Sequence, residues 1–303
     1  MPSSPDLYSP LAAWFANHRR ALPWREEGTS AWGVLVSEIM SQQTPVARVA
    51  EPWRTWMKRW PTPQALARAD SAEVLRAWGS LGYPRRALRL HECARTVERE
   101  HGGELPVGVE ALVALPGIGD YTAAAVASFA QGQRACVLDT NIRRVLTRVL
   151  DAKAAPSAHV TKRDRARFEK LLPVEVEHSR IWNEGVMELG ALVCRARNPM
   201  CEACPLSEHC AWLQAGRPGL GERTTRPQSY EGSDRQIRGR ILKTLREGGA
   251  ATVGTLENAS GADSERFVRL LTDLLAEGLI SRTASGEITL GAGTHKEEHV
   301  HAR

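Results

Sequence analysis

Apolar residues return every three or four positions along nearly the whole chain before residue 214, and nowhere in that span do they alternate convincingly with polar ones. That regularity restricts this part of the molecule to packed helices. Trp32, Leu35, Val36, Ile39 and Met40 trace one stripe; Ile142, Val145, Leu146 and Val149 trace another. The interruptions are short and rich in helix breakers: "RWPTP" (59–63), "SLGYP" (80–84), "EHGGELP" (100–106) and "LPGIG" (115–119). The pattern predicts an all-α domain of about ten helices over residues 1–214.

The pattern fails at 215–233, "AGRPGLGERTTRPQSYEGS", which reads as a linker. It resumes beyond. Ile237, Ile241, Leu242 and Leu245 mark one helix; Phe267, Leu270, Leu271, Leu274 and Leu275 mark another, with Asp263 as its N-cap. "GLISRTASGEITL" (278–290) then reads as two short strands about a Ser-Gly turn. Two or three helices followed by a hairpin make residues 234–290 a winged-helix-like module. The tail, 291–303, reads as disordered.

With 303 residues, 42% of them hydrophobic and 25% charged, the chain can bury one large and one small core. No apolar run approaches the roughly 18 residues of a membrane span, and the N-terminus has no signal-peptide core. A soluble cytoplasmic protein, with no membrane partner, is expected. The net charge is +5. Residues 234–290 hold eight basic and eight acidic side chains, and 291–303 hold two of each, so the excess lies in 1–233. Because its charge is balanced, the module reads as a small packing or dimerisation unit in preference to a DNA-contacting one.

Four segments carry the chemistry. In "TSAWGVLVSEIMSQQT" (29–44), six of the nine residues from Trp32 to Met40 are large and apolar, and Glu38 is the one charge among them. Burial of such a carboxyl raises its pKa toward the range of a general acid; an exposed or arginine-paired acid is the plainer alternative. Gln42, Gln43 and Thr44 follow, available as helix caps or as groove-reading groups. In "LVALPGIGDYTAAAVASFAQG" (112–132) a helix runs into Pro-Gly-Ile-Gly and a second starts at Asp120 or Tyr121. Gly117 and Gly119 permit a tight turn whose amides face outward beside a helix N-terminus, a geometry that holds a phosphate without reading sequence. In "VLDTNIRRVLTRVL" (137–150) Asp139 precedes an amphipathic helix as an N-cap that could equally face a cleft. Arg143, Arg144 and Arg148 follow, for phosphates or for solvent. Finally, Cys194, Cys201, Cys204 and Cys210 are spaced C-x6-C-x2-C-x5-C, which suits tetrahedral zinc or an iron–sulfur cluster; spacing alone does not choose. Cys93 and Cys136 read as buried free thiols.

Taken together these segments resemble the helix–hairpin–helix DNA glycosylases of the endonuclease III superfamily, and among them the MutY-type adenine glycosylases. The resemblance rests on "LPWR" (22–25), "SEIMSQQT" (37–44), "LGY" (81–83), "LPGIGDYTAAAV" (115–126), "LDTN" (138–141) and the cysteine spacing, and covers about residues 7–213. It implies two helical lobes with a base pocket between them. It implies a four-iron, four-sulfur (4Fe-4S) cluster on the four cysteines, in a loop (194–210) that presents Arg195 and Arg197 to DNA. It implies base-excision repair by a nucleoid-associated bacterial monomer that binds double-stranded DNA and removes adenine mispaired with 8-oxoguanine or guanine.

The resemblance also assigns roles. Tyr121 stands where lyase relatives carry a Schiff-base lysine, so a monofunctional hydrolase is expected. Glu38 would protonate the base, Asp139 would stabilise the sugar cation, and Tyr121 would hydrogen-bond and fix Asp139. Gln42, Gln43 and Tyr83 would meet the opposite strand, Arg25 and Asn141 would line the pocket, and Gly117 and Gly119 would take a phosphate. The chain departs from the family pattern at Ser41, Pro84 and Thr140, and residues 234–290 look unlike the family's usual 8-oxoguanine-reading domain. A thymine or uracil mismatch glycosylase on the same scaffold, or a non-enzymatic iron–sulfur DNA-binding regulator, are the alternative readings.

Overall fold

The computed structural model describes residues 6–222 and 229–291. Among these no helix is long and apolar enough to cross a membrane. The chain forms two compact units, each discontinuous in sequence: 1–38 with 105–226, and 39–104 with 227–303. Compactness therefore groups the C-terminal module with residues 39–104.

The first unit is built on the Val176–Leu192 helix, whose Trp182, Val186 and Leu189 are buried. Tyr8–His18 packs along it through Leu11 and Phe15. The Thr140–Asp151 helix packs on it as well, burying Ile142, Val145, Leu146 and Val149 as the apolar stripe predicts. Gly190 makes that approach possible: a Cβ there would lie 2.6 Å from Asn141 Cβ. Asp120–Ala130 buries Ala123, Ala124, Ala125 and Ala127, small side chains that let the preceding Val109–Val113 helix close against it. The turn between them depends on Gly117, at φ 77°. Gly119 is extended backbone, φ −98°, and serves as the N-cap, so only one of the two glycines needs its conformational freedom.

In the second unit, Ala50–Arg59, Pro63–Ala67, Ser71–Trp78 and Arg85–His101 surround an aromatic cluster in which Trp56 meets Trp60 at 4.6 Å and Trp78 at 5.6 Å. Thr62 and Asp70 cap two of these helices, accepting from Ala65 N and Ala72 N.

The C-terminal module runs helix (Asp234–Gly248), β1 (Ala250–Ala251), helix (Val253–Ser260), helix (Ser264–Ala276), β2 (Ile280–Arg282) and β3 (Ile288–Leu290). The sheet order is β1-β3-β2, all antiparallel, with Ala250 opposite Thr289 and Ile280 opposite Leu290. This is the winged-helix arrangement. Asp263 caps its helix as expected, accepting from Arg266 N. The sequence reading has two strands; β1, only two residues long, is too short to show a period. Residues 223–228 of the linker and 292–303 of the tail lie outside the described residues.

Candidate active site and cysteine cavity

Glu38 stands in the last turns of Ala31–Ser41, a helix that is apolar nearly all round, and only 9% of the residue is exposed. Tyr121, in the first turn of Asp120–Ala130, donates its hydroxyl to Glu38 Oε2 at 2.7 Å. This corrects the expected pairing, in which Tyr121 fixes Asp139. Burial lifts the Glu38 carboxyl to about 7; the Tyr121 hydrogen bond opposes the rise, the Asp139 charge adds to it, Arg25 opposes it and Glu184 adds to it. Burial pushes the Tyr121 phenol well above its ordinary value, with the charges of Glu38 and Asp139 adding to the effect. It is therefore a donor at every working pH.

Asp139 is the N-cap of Thr140–Asp151, accepting from Ile142 N at 2.6 Å through Oδ1. Its Oδ2 accepts from Asn141 Nδ2 at 2.8 Å. Burial raises its pKa, and these donors and Arg144 oppose the rise without reversing it. Asn141 in turn accepts from Arg144 Nη2 at 2.8 Å. Capping and site geometry are thus the same interaction at Asp139, not alternatives.

Arg144 and Arg148, read from sequence as solvated or phosphate-binding, are buried instead. Arg144 donates to Gly190 O at 2.7 Å and Cys194 O at 2.8 Å. Arg148 donates to Arg195 O at 2.8 Å and to Cys194 Sγ at 3.3 Å, and lies 4.3 Å over the Trp212 ring. The helix that carries Asp139 at its start therefore holds the cysteine loop with its later turns.

A cleft of about 390 Å³ opens within the first unit, and Trp24, Arg25, Val34, Glu38, Phe129 and Glu184 are among its walls. Tyr121, Asp139 and Asn141 do not line it. Arg25 was expected there; its guanidinium is anchored by Glu188 Oε2 at 3.2 Å. Glu188 is fully buried and also takes Arg20 Nε at 2.7 Å, Nη2 at 2.9 Å and the Arg20 amide at 2.8 Å. Desolvation pushes Glu188 up, but Arg20 and Arg25 outweigh it and hold the carboxyl below its ordinary range. Sequence reasoning missed this clamp. No local signal marks it, because Glu188 follows Arg180 and Glu184 at four-residue spacing, as an acid of an ordinary charged face would, and its partners lie more than 160 residues away.

In the second unit, Gln43 (φ 53°) and Tyr83 (φ 48°) are both left-handed non-glycine residues, conformations that persist only where surroundings impose them. Arg86 imposes them. It donates to Ile39 O (2.7 Å) and Met40 O (3.1 Å) in the last turn of Ala31–Ser41 and to Gln42 O (2.5 Å) just beyond it, and to Leu81 O (3.3 Å) and Gly82 O (2.9 Å) on the 81–84 loop. It also donates to Thr44 Oγ1 at 3.0 Å, and its guanidinium lies 5.1 Å from the Trp78 ring and 5.6 Å from that of Tyr83. Burial lowers its pKa to about 10, still far above neutrality. Tyr83 is 41% exposed. No sequence signal marks Arg86, because its partners are backbone carbonyls.

Cys194, Cys201, Cys204 and Cys210 line one cavity, with Val145, Val149, Leu213 and other apolar groups between them. Among the described residues no three His, Cys, Asp or Glu side chains converge as a single ion requires. The four thiols ring a space instead of meeting at a point. Burial pushes Cys204 up to about 12 and raises Cys210, so thiolates in this cavity need a positive centre to stabilise them. The residues fit an iron–sulfur cluster. Cys93 and Cys136 are also raised by burial, to about 12 and about 11.

Residues 36–170 match the model of the HhH-GPD superfamily base excision DNA repair proteins. An adenine DNA glycosylase of Mycobacterium tuberculosis is 49% identical over 281 residues, 92% of each chain. The chain belongs to the MutY-type glycosylases of the HhH-GPD superfamily. The adenine DNA glycosylase of Mycolicibacterium smegmatis is 48% identical over 281 residues, 92% of this chain and 94% of that one. These alignments exceed the 214 residues of the helical domain, so the family likeness extends into the C-terminal module, beyond the limit the sequence motifs suggest. Among solved structures, a thermostable thymine-DNA glycosylase superposes with a TM-score of 0.62 and 28% identity, covering 69% of this chain and 95% of that one.

Proposed function

We propose that this glycosylase hydrolyses the N-glycosidic bond of adenine mispaired with 8-oxoguanine or guanine in double-stranded DNA, acting as a monofunctional enzyme and a monomer. The observation that carries the reading is the Glu38 carboxyl, buried, bonded to Tyr121 and half-protonated near neutral pH.

Adenine leaves deoxyribose slowly until its ring gains a proton. Protonated Glu38 delivers that proton to N7, the C1′–N9 bond breaks with its electron pair going to the base, and the sugar becomes an oxocarbenium-like cation. Asp139, whose carboxylate oxygens accept from Asn141 and Ile142 N–H, stabilises that cation in its ionised form until water adds to C1′ and gives up a proton. One carboxyl that titrates at about 7 beside a second that accepts two hydrogen bonds is an arrangement suited to the division of labour in glycoside hydrolysis. Tyr121 is a neutral phenol with no amine to form an imine, which supports hydrolysis without strand cleavage.

The base must leave the stack to be protonated. The cleft beside Glu38 and Arg25 supplies a place for it. Gln42, Gln43 and Tyr83 supply groups to fill the duplex, their backbones fixed in advance by Arg86. The turn at Gly117 and Gly119 offers amides to a phosphate. Cys194, Cys201, Cys204 and Cys210 would hold a 4Fe-4S cluster, which stabilises four thiolates and thereby orders the loop bearing Arg195 and Arg197. Soluble expression in a bacterial cytoplasm, on the nucleoid, accords with such a role.

The test is adenine release from duplexes that differ only in the base opposite adenine, with thymine and uracil mispairs alongside and one set spared alkali. Release of adenine opposite 8-oxoguanine and guanine, lost in Glu38→Gln, is expected. Release of thymine instead, or strand breaks without alkali, would overturn the reading.

A further inference from the structure

The chain has four tyrosines. Two of them, Tyr83 and Tyr230, are 41% and 55% exposed, and a single arginine bridges them. Arg235 Nη1 donates to Tyr83 Oη at 3.2 Å, and the same guanidinium lies 5.4 Å from the centre of the Tyr230 ring. Tyr83 belongs to the 81–84 loop; Tyr230 and Arg235 belong to the start of the C-terminal module. Residues nearly 150 positions apart thus form one continuous aromatic and cationic strip within the second unit.

The module is seated firmly enough to make that strip a built feature. Glu277 takes Arg85 at 3.1 Å and also Arg238. The β3 strand packs on Ser71–Trp78, and Gly291 comes so close that a Cβ would fall 2.5 Å from Ser71 Oγ. On its other side Tyr83 is backed by Arg86.

Charge pairing separates Arg235 from Arg238, Lys243, Arg266 and Arg269. Arg238 is committed to Glu277, Lys243 to Glu247 at 3.8 Å, and both Arg266 and Arg269 to Asp234 at 2.7 and 2.9 Å. Arg266 and Arg269 lie on Ser264–Ala276, the helix a winged-helix protein would ordinarily turn toward DNA. That helix has its cations neutralised. Arg235 makes no ion pair among the described residues.

We propose that Tyr83, Arg235 and Tyr230 form a single DNA-contacting surface, so that the C-terminal module binds the duplex through the start of its first helix and not through its third. This rests on the reading of Tyr83 as a DNA contact. Arg235 supplies an unpaired cation to a backbone phosphate, and the tyrosine faces cover sugar and base surfaces, a combination suited to nucleic acid and poorly suited to a protein core. Because Arg235 is already held between the Tyr83 hydroxyl and the Tyr230 ring, little side-chain freedom is lost on binding.

The experiment uses the full chain, loaded with its cluster, and two forms of one mispair duplex: a non-hydrolysable form with a 2′-fluoro sugar at the target adenosine, for binding, and the ordinary form, for adenine release. Arg235→Gln and the double variant Arg235→Ala/Tyr230→Ala are compared with Arg269→Ala on the third helix. Arg235→Gln removes the charge while keeping an amide that can reach Tyr83, so it reads the cation even if the double variant unfolds. Each loss of the Arg235 charge is expected to weaken binding about tenfold and to reduce the salt slope of the affinity by about 1. The loss should sit in Kd, not in the rate at saturating enzyme, and Arg269→Ala should bind like wild type. Unchanged affinity and salt slope in Arg235→Gln, with wild type binding and releasing adenine, would sink the proposal. So would a loss confined to Arg269→Ala. If wild type itself neither binds nor releases adenine, the functional reading fails, and that outcome is distinct from both.

Discussion

Glu38→Gln should make this protein more stable at alkaline pH than at acid pH relative to wild type. The Glu38 carboxyl titrates at about 7 in the fold against an ordinary value of 4.5, chiefly because burial disfavours its charge. At about 1.4 kcal/mol per tenfold change in proton affinity, that interval corresponds to about 3 kcal/mol. The direction follows from linkage. Below about pH 4.5 the side chain is protonated in both folded and unfolded chains and costs nothing. As pH rises, the unfolded chain ionises first while the folded one holds its proton, so wild type loses stability through the window from about 4.5 to about 7. Above about 7 the full penalty is present. Glutamine carries no such charge, and any fixed change in its bonding to Tyr121 is the same at every pH. The assay is urea denaturation of both proteins across about pH 4.5 to 8.5, plotted as the difference between them, which cancels every titration not coupled to Glu38. The gap should grow by about 3 kcal/mol in favour of the variant. A difference flat to within about 0.5 kcal/mol would show that Glu38 is not desolvated, and the general-acid argument would go with it. The same titration governs catalysis: adenine release should fall about tenfold per pH unit once the pH is well above 7.

Three further outcomes follow from single contacts. Asp139→Asn retains an N-cap, so thermal stability should change by less than about 1 kcal/mol, yet adenine release at saturation should drop about 10² to 10³-fold as the ionised carboxylate disappears; a stable variant with near-wild-type rates would remove Asp139 from the chemistry. Arg86→Lys keeps a cation but cannot serve the carbonyls of Ile39, Gln42, Leu81 and Gly82 together. It should cost about 3 kcal/mol in urea unfolding, and a loss under about 0.5 kcal/mol would mean that the two loops hold their conformations unaided. Cys204→Ser should lower bound iron well below the roughly four atoms per chain expected of one cluster, measured by elemental analysis; undiminished iron would show that the cavity is not its site.

Much of the architecture was written in the local pattern. The stripe Ile142, Val145, Leu146 and Val149 faces the core as its spacing demands, and Asp139 and Asp263 cap the helices they precede. Helical period, caps and glycine turns are short-range properties, so a few consecutive residues carry them. The cysteine spacing likewise announced a shared cavity, because ligands within one short loop need little help from the rest of the chain.

What the linear pattern left open was every interaction between groups far apart in sequence. It placed Tyr121 beside Asp139, whereas 83 residues of intervening chain bring its hydroxyl to Glu38. It left Arg144 and Arg148 to phosphates or to solvent, whereas the packing of Thr140–Asp151 turns both inward onto the cysteine loop. Arg86 and Glu188 were invisible, since one bonds to backbone and the other pairs across more than 160 residues. Composition and period decide which residues are buried; whether a buried charge is neutralised, strained or poised to move a proton depends on partners that only the assembled chain supplies.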